Sequence, residues 1–306
     1  MTNIGLTDTT ASAISAHLTQ IRHRMGAPAV GMVLTLVVLC DEADHYDAVQ
    51  AATGAAREHP SRILVVIPRR RGEETRLDAE IRTGESAPGE VVLLRLYGEL
   101  VNHADSVVAP LLLPDTPVVA WWPGEAPAVP GADAVGALAQ RRITDAAACP
   151  DPRAAIASRA PGYTPGDTDL AWTRLTRWRS LLAAAFDLPT APVVAGVVEA
   201  EADNPSAPLL AGWLTERLAV PVETAVSTGP GISAVRLTLA DGEVRISRRP
   251  HTRLAQLTRP DQPERTVALA RRPTADLLAE ELRRLDPDEI YAVAVARLPR
   301  PDRDPA

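Results

Sequence analysis

Met32-Val33-Leu34-Thr35-Leu36-Val37-Val38-Leu39, and behind it Arg62-Ile63-Leu64-Val65-Val66-Ile67-Pro68, are the stretches on which the fold turns. Each is short, unbroken and apolar with β-branched residues, as a strand buried on both faces requires. Between them, Asp44 to Glu58 carries a helical pattern. His59-Pro60 ends it, because a residue before proline avoids the α region. Strand, helix and strand in this order argue a layered α/β structure, with helices packed on a largely buried sheet.

Working outward, Asp8 to Arg24 is expected to be helical, with Ile14, Leu18, Ile21 and Met25 recurring every three or four positions. Downstream, Leu77–Thr83 and Glu90–Tyr97 read as strands joined by a turn at 84–89. A helix at about His103–Leu112 and a strand Pro117–Trp121 follow. Pro- and Gly-rich stretches at 123–130 and 161–166 enclose a short strand or helix pair. The domain boundary is placed near Gly166, giving an N-terminal domain 1–166, a C-terminal domain 167–298 and a disordered tail 299–306. The fold class expected for each half is α/β, a mixed sheet flanked by helices, with α+β as the alternative for the second half.

In that second half, one long helix is expected from Leu170 to Asp187, stopped by Pro189. Strands follow at Val193–Glu199, Val222–Ser227, Ala234–Leu239 and Val244–Ser247, the last two joined by Asp241-Gly242, a good hairpin turn. Ser206 is expected to cap a helix through Leu218. Thr274 starts another, and Asp286-Pro287-Asp288-Glu289 starts the last with a layout like a capping box.

A chain of 306 residues exceeds what one core holds, and 46% hydrophobic with 23% charged residues is the balance of a folded globular protein. There is no lysine and a single phenylalanine, Phe186, against 28 prolines. A coding bias towards Arg, Ala and Val explains this better than function does. The net charge of −7 denies the chain the basic surplus that general nucleic-acid binding needs. Cys40 and Cys149 cannot make a disulfide framework and match no zinc or redox spacing, which fits a reducing cytoplasm. The apolar run 31–39 is too short to span a bilayer, and no export signal is expected.

The sequence has no P-loop, no G-x-S-x-G elbow and no H-E-x-x-H zinc site. Gly229-Pro230-Gly231-Ile232-Ser233-Ala234 matches the dinucleotide pattern G-x-G-x-x-A, yet a strand rather than a helix is expected after it, so it reads as a turn. Asp167 and Asp169 resemble a metal-binding pair, but they precede a helix, where aspartate serves as a cap. The six histidines are scattered, and no metal, cofactor or catalytic set is assigned. The arginine groups Arg69-Arg70-Arg71, Arg141-Arg142, Arg248-Arg249 and Arg271-Arg272 suit phosphate in principle, while a lysine-free chain also uses such runs as plain surface.

Three segments hold more information: His59-Pro60-Ser61-Arg62-Ile63, Pro117-Val118-Val119-Ala120-Trp121-Trp122-Pro123-Gly124, and Asp167-Thr168-Asp169-Leu170-Ala171-Trp172-Thr173-Arg174-Leu175-Thr176-Arg177-Trp178-Arg179. On a helical wheel, Leu175, Trp178, Leu182 and Phe186 share an apolar arc with Trp172 at its edge. Arg179 projects inside that arc, so it must find a carboxylate, stack on an aromatic face or meet a partner. Trp and Arg together are also the composition of interface hot spots. A helix whose tryptophans are simply core accounts for the same pattern.

These three segments resemble the OpcA family, the glucose-6-phosphate dehydrogenase assembly proteins, over nearly the whole chain from about Met32 to Ala296. The resemblance implies a non-catalytic, cytoplasmic protein that binds glucose-6-phosphate dehydrogenase and promotes its active form, with no nucleic-acid or membrane partner. A sugar-phosphate or nucleotide binding protein using the arginine groups is the alternative. The family assigns no catalytic residues, so His59, Arg62, Trp121, Trp122, Trp172, Arg174, Trp178 and Arg179 stand as partner-interface candidates on their motifs. With only two cysteines at unremarkable positions, no thiol switch is carried over.

Overall fold

The structure, a computed structural model, describes residues 2–25, 31–69, 74–83, 89–187, 190–249 and 252–299. Several expectations lie outside the described residues: the turn at 84–88, Arg70 and Arg71, the helix stop at Pro189, His251 and the tail from Arg300. So does the side chain of Met25. The chain divides into two compact units. The first runs to Asp145 and takes in Gly166–Thr168 and Pro273–Pro287. The second takes Ala146–Pro165, Asp169–Arg272 and the residues from Asp288 on.

The first sheet has eight strands: β1 (Thr2–Leu6), β2 (Leu34–Leu39), β3 (Ser61–Pro68), β4 (Leu77–Thr83), β5 (Gly89–Leu96), β6 (Val118–Trp122), β7 (Arg141–Thr144) and β8 (Asp167–Asp169). Their order is β1-β4-β5-β3-β2-β6-β7-β8. β2, β3, β5, β6 and β7 are parallel, and β4 and β1 extend one edge antiparallel. From β2 the chain steps one way to β3 and β5, then returns to the other side of β2 with β6 and β7. That reversal is a topological switch point between β2 and β6. Both faces are covered, which is why β2 and β3 read as continuous apolar runs. Helix α1 (Ala11–Met25) sets Ile14, Leu18 and Ile21 against Val37, Leu64, Val92 and Trp122. Helix α2 (His45–Ala55) turns Ala48, Ala52 and Ala55 inward.

The expected helix at 103–112 is shorter. Only α3 (Ala104–Val108) is α-helical, with 3-10 turns at Gly98–His103 and Ala109–Leu111; Pro110 has no amide with which to continue it. The pair expected between residues 130 and 161 is β7 and α4 (Pro152–Arg159). Gly166 then precedes β8 at φ +98°, and a Cβ there would lie 2.4 Å from the Gln140 carbonyl oxygen, so glycine is required.

The helix expected from Leu170 to Asp187 is two: α5 (Leu170–Thr173) and α6 (Thr176–Ala184). At the joint the Leu175 amide reaches back three residues to the Trp172 carbonyl at 2.9 Å, a tighter turn that leaves both side chains buried. The second sheet comprises β9 (Val193–Ala200), β10 (Val222–Val226), β11 (Ile232–Leu239), β12 (Glu243–Arg248), β13 (Leu254–Arg259) and β14 (Gln262–Ala268), ordered β10-β9-β11-β12-β13-β14. Only β9 and β10 are parallel; β11 to β14 form an antiparallel meander. The Asp241-Gly242 hairpin forms as expected, whereas β13 and β14 carry too many polar residues to be legible. They turn through Pro260-Asp261, with Asp261 at φ +54°.

Helix α7 (Ser206–Leu218) links β9 to β10 in the crossover that parallel strands demand. Its cap is Asn204 rather than Ser206. The Asn204 side chain accepts from the amides of Ser206 and Ala207, both at 3.0 Å, while the Ser206 hydroxyl donates to the Ala171 carbonyl at 2.7 Å. The last helices are α8 (Thr274–Arg283) in the first unit and α9 (Glu289–Ala296) in the second. The cap of α9 is Asp288, which accepts from Ile290 and Tyr291 at 2.9 Å, rather than Asp286, where a capping box ending on Glu289 would put it. Each unit thus has a mixed sheet flanked by helices.

Candidate functional site

The Trp- and Arg-rich segment opens on Asp169, which is fully buried. Its carboxylate accepts from the Ala171 amide at 2.8 Å, capping α5, and from the Ala146 amide at 3.0 Å, with Arg159 Nη1 at 3.5 Å. Asp167 pairs instead with the Arg142 guanidinium in the first unit. One aspartate caps and the other is held by an arginine, so each carboxylate is occupied. Among the described residues no group of histidine, cysteine or carboxylate side chains has a metal-holding arrangement.

Trp172, 1% exposed, donates its indole N–H to Asp288 Oδ2 at 2.8 Å, while the other oxygen of Asp288 caps α9. The Tyr291 ring lies 5.9 Å from Trp172, and Tyr163 meets Tyr291 edge-on at 5.9 Å. The Arg179 guanidinium sits 3.9 Å over the Trp172 ring, so of the three fates open to it, stacking on an aromatic face is realised. One turn on, Trp178 is 3% exposed with Arg248 5.5 Å over its ring. Arg174 and Arg179 are half-buried at this surface.

The remaining candidates belong to the first unit. His59 is half-buried, and its Nε2 has no hydrogen-bond partner among the described residues. Arg62 is buried in β3. It clamps Glu90 of the neighbouring β5 through Nε (2.9 Å) and Nη2 (2.7 Å), and donates to the Leu111 carbonyl at 2.7 Å. Trp121 and Trp122, 1% and 4% exposed, end β6 on opposite faces of the sheet. The four candidate tryptophans are therefore core side chains in the isolated chain, and only Arg174, Arg179 and His59 among the candidates reach solvent. The structure brings Trp172, Arg174, Trp178 and Arg179 together on α5 and α6. It leaves His59, Arg62, Trp121 and Trp122 in the other unit.

The carboxyl edge of the first sheet, where doubly wound folds hold their ligands, is occupied by acids. The loop after β2 carries Asp41, Glu42 and Asp44, and Glu42 bridges Arg69 at 2.8 Å and Arg95 at 3.1 Å. Burial pushes the Glu42 carboxyl up, but the Arg95 hydrogen bond and the charges of Arg95, Arg69 and His45 outweigh it and hold it below its ordinary range. The same acids act on Cys40. Burial first, then Asp44, Asp41 and Glu42, push its thiol up to about 12. In the second unit Gly229-Pro230-Gly231 forms a loop that leads straight into β11, as its reading as a turn requires.

Asp288, Tyr163 and Tyr291 were not singled out from the sequence. The capping-box layout at 286–289 points to Asp286, and the second oxygen of Asp288 is committed by a tryptophan more than a hundred residues away, which no local pattern reveals. Among the described residues, no helix is long and apolar enough to cross a membrane.

Comparison with known proteins covers most of the chain. Residues 52–161 match the family model described as glucose-6-phosphate dehydrogenase subunit N-terminal domain, and residues 165–295 match the one described as its C-terminal domain. No curated protein matches the chain. The two matches follow one another in order, with the first ending and the second beginning around the segment that leads into β8. The chain belongs to the OpcA family of glucose-6-phosphate dehydrogenase assembly proteins.

Proposed function

We propose that this protein is a non-catalytic activator that binds glucose-6-phosphate dehydrogenase in its active form more tightly than in its inactive form. Differential affinity of this kind shifts the equilibrium by the coupling free energy, typically about 1–3 kcal/mol. The observation that carries the reading is the pair of successive subunit-domain matches spanning residues 52–295. The docking surface we assign is the outer side of α5 and α6, where Arg174 and Arg179 are half-buried and Arg179 stacks on the buried Trp172. Trp172 then acts as the rigid support that fixes the Arg179 guanidinium, Trp178 as core that backs Arg248, and Trp121 and Trp122 as core of the other unit.

Two features weigh against a nucleotide or sugar-phosphate binding role. The switch-point edge presents carboxylates where a phosphate would sit, and the Gly-Pro-Gly loop runs into a strand, leaving no helix N-terminus to face a pyrophosphate. The test is a titration of this protein into the cognate dehydrogenase with glucose 6-phosphate and NADP. Activity is expected to rise saturably, with the protein alone inert and a complex on size exclusion. No change in activity together with no complex would overturn the proposal.

A further inference from the structure

Four arginines of the second unit gather about the segment Leu269–Arg271. Arg248 Nη1 donates to the Leu269 carbonyl at 2.6 Å and Arg177 Nη1 to the Ala270 carbonyl at 2.9 Å. The Arg271 guanidinium turns to the Pro230 carbonyl. The Arg253 carbonyl receives the Leu269 amide at 2.8 Å, and its side chain is exposed. Their neighbours Arg236 and Arg249 face carboxylates, Glu199 at 2.7 Å and Glu264 at 3.9 Å. None of these four has an ion pair among the described residues; the side-chain hydrogen bonds of Arg177, Arg248 and Arg271 go to uncharged backbone oxygens.

The charge balance at this place is one-sided. Arg248 is half-buried, and burial first, then the positive charge of Arg271, push its pKa down to about 10. It stays protonated at neutral pH, so one cation is held partly out of water beside another. Bringing a negative group to them would relieve both effects. The Arg271 side chain is exposed. Gly231, at φ +68°, lies beside the Arg271 guanidinium, with Arg271 Nη2 3.7 Å from where a Cβ would stand. The carboxylate nearest that loop, Glu201, takes a hydrogen bond from Asn204 at 3.2 Å rather than from Arg271.

We propose that Arg177, Arg248, Arg253 and Arg271 form a docking patch for an acidic surface segment of the partner dehydrogenase. This rests on the dehydrogenase being the partner. Three of the four side chains are exposed, and they come from α6, β12, the segment before β13 and the segment after β14. So dispersed a set fits several carboxylates on a protein surface better than one phosphate group. Arg248, backed by Trp178, is the anchor, since an arginine fixed against an aromatic ring loses little freedom on binding. The patch adjoins the Arg174 and Arg179 surface through Arg177 on α6. It also supplies steering towards an acidic target that a chain of net charge −7 otherwise lacks.

The experiment compares Arg177→Glu/Arg271→Glu with Arg57→Glu/Arg217→Glu, which changes net charge equally at exposed positions that are not members of the patch. Each is titrated into the dehydrogenase after circular dichroism has confirmed the wild-type fold. The patch variant is expected to raise the concentration for half-maximal activation about tenfold or more with the plateau unchanged. The control is expected to stay within about twofold of wild type. A patch variant that titrates like wild type, or a control that shifts as far, overturns the patch while leaving the partner reading intact. Failure of the wild-type protein to bind the dehydrogenase overturns both. Saturable binding of inorganic phosphate to the wild type, lost in the patch variant while dehydrogenase binding is kept, makes it a small-anion site and also overturns the proposal.

Discussion

Replacing Trp172 by phenylalanine tests whether the Trp- and Arg-rich segment is scaffold. The substitution removes the indole N–H that Asp288 accepts at 2.8 Å. Hydrogen bonds to a charged group contribute about 1.5–3 kcal/mol, and Asp288 is half-buried, so water recovers part of this and about 2 kcal/mol is lost. The smaller ring also weakens the Arg179 stack at 3.9 Å and leaves a partial void at a fully buried position, together about 1 kcal/mol. A total near 3 kcal/mol lowers the melting temperature by roughly 6–12 °C for a chain of this size. Scanning calorimetry reads the shift directly. The causal link is checked by a double-mutant cycle with Asp288→Asn, which keeps one carbonyl oxygen for the cap but turns the other position into a donor facing a donor. Coupling of at least about 1 kcal/mol between the two changes is expected. Additive effects, or a melting shift below about 2 °C, would refute the reasoning, because the hydrogen bond would then contribute nothing measurable.

Glu90→Gln should destabilise the protein by about 3–5 kcal/mol in urea unfolding, since it leaves the buried Arg62 cation with no full negative charge beside it; replacing both, as Arg62→Met/Glu90→Leu, should recover much of the loss. Cys40, with its thiol pushed up to about 12, should resist alkylation in the native state and react only on unfolding, so intact-mass analysis of iodoacetamide-treated protein should place native adducts on Cys149 and none on Cys40. Glu80 is held low, first by the Arg82 hydrogen bond against opposing burial, with Asn3 helping, and Glu42 is held low as described. A carboxyl lowered in the folded state contributes stability above its unfolded value of 4.5 and loses it as pH falls below that value. The urea midpoint should therefore drop below about pH 4.5, and Glu42→Gln/Glu80→Gln should flatten that drop. An unchanged profile in the variant would show that other carboxyls drive the acid limb.

Much of the first sheet was legible because its signals are local. The continuous apolar runs of β2 and β3 need only the fact that a strand covered on both faces has no polar side. His59-Pro60 and Asp241-Gly242 act through sterics within a few residues, whereas the capping-box spacing of Asp286 and Glu289 falls two residues short of the residue that caps α9, Asp288. Even the placing of Arg179 beside Trp172 follows from helical periodicity, because the tighter turn at Leu175 shifts the wheel without reversing it. β1 was missed because its pairing partner β4 lies some seventy residues away, and β13 and β14 because their outward faces are polar and their register is set by β12.

What the tertiary structure alone decided is which polar groups meet. Ser206 and Asn204 are both plausible caps to any local rule; the Ala171 carbonyl, offered by α5, takes the Ser206 hydroxyl and leaves the amides to Asn204. Likewise Trp and Arg composition specifies a surface or a core equally well, and only chain closure put the four tryptophans inside. The cluster of Arg177, Arg248, Arg253 and Arg271 had no sequence signature as a cluster, because its members come from separate elements. The sequence by itself determined the elements whose signals are local, through short-range sterics and burial, while long-range folding determined β1, β13 and β14 and which charges were left without a counter-charge.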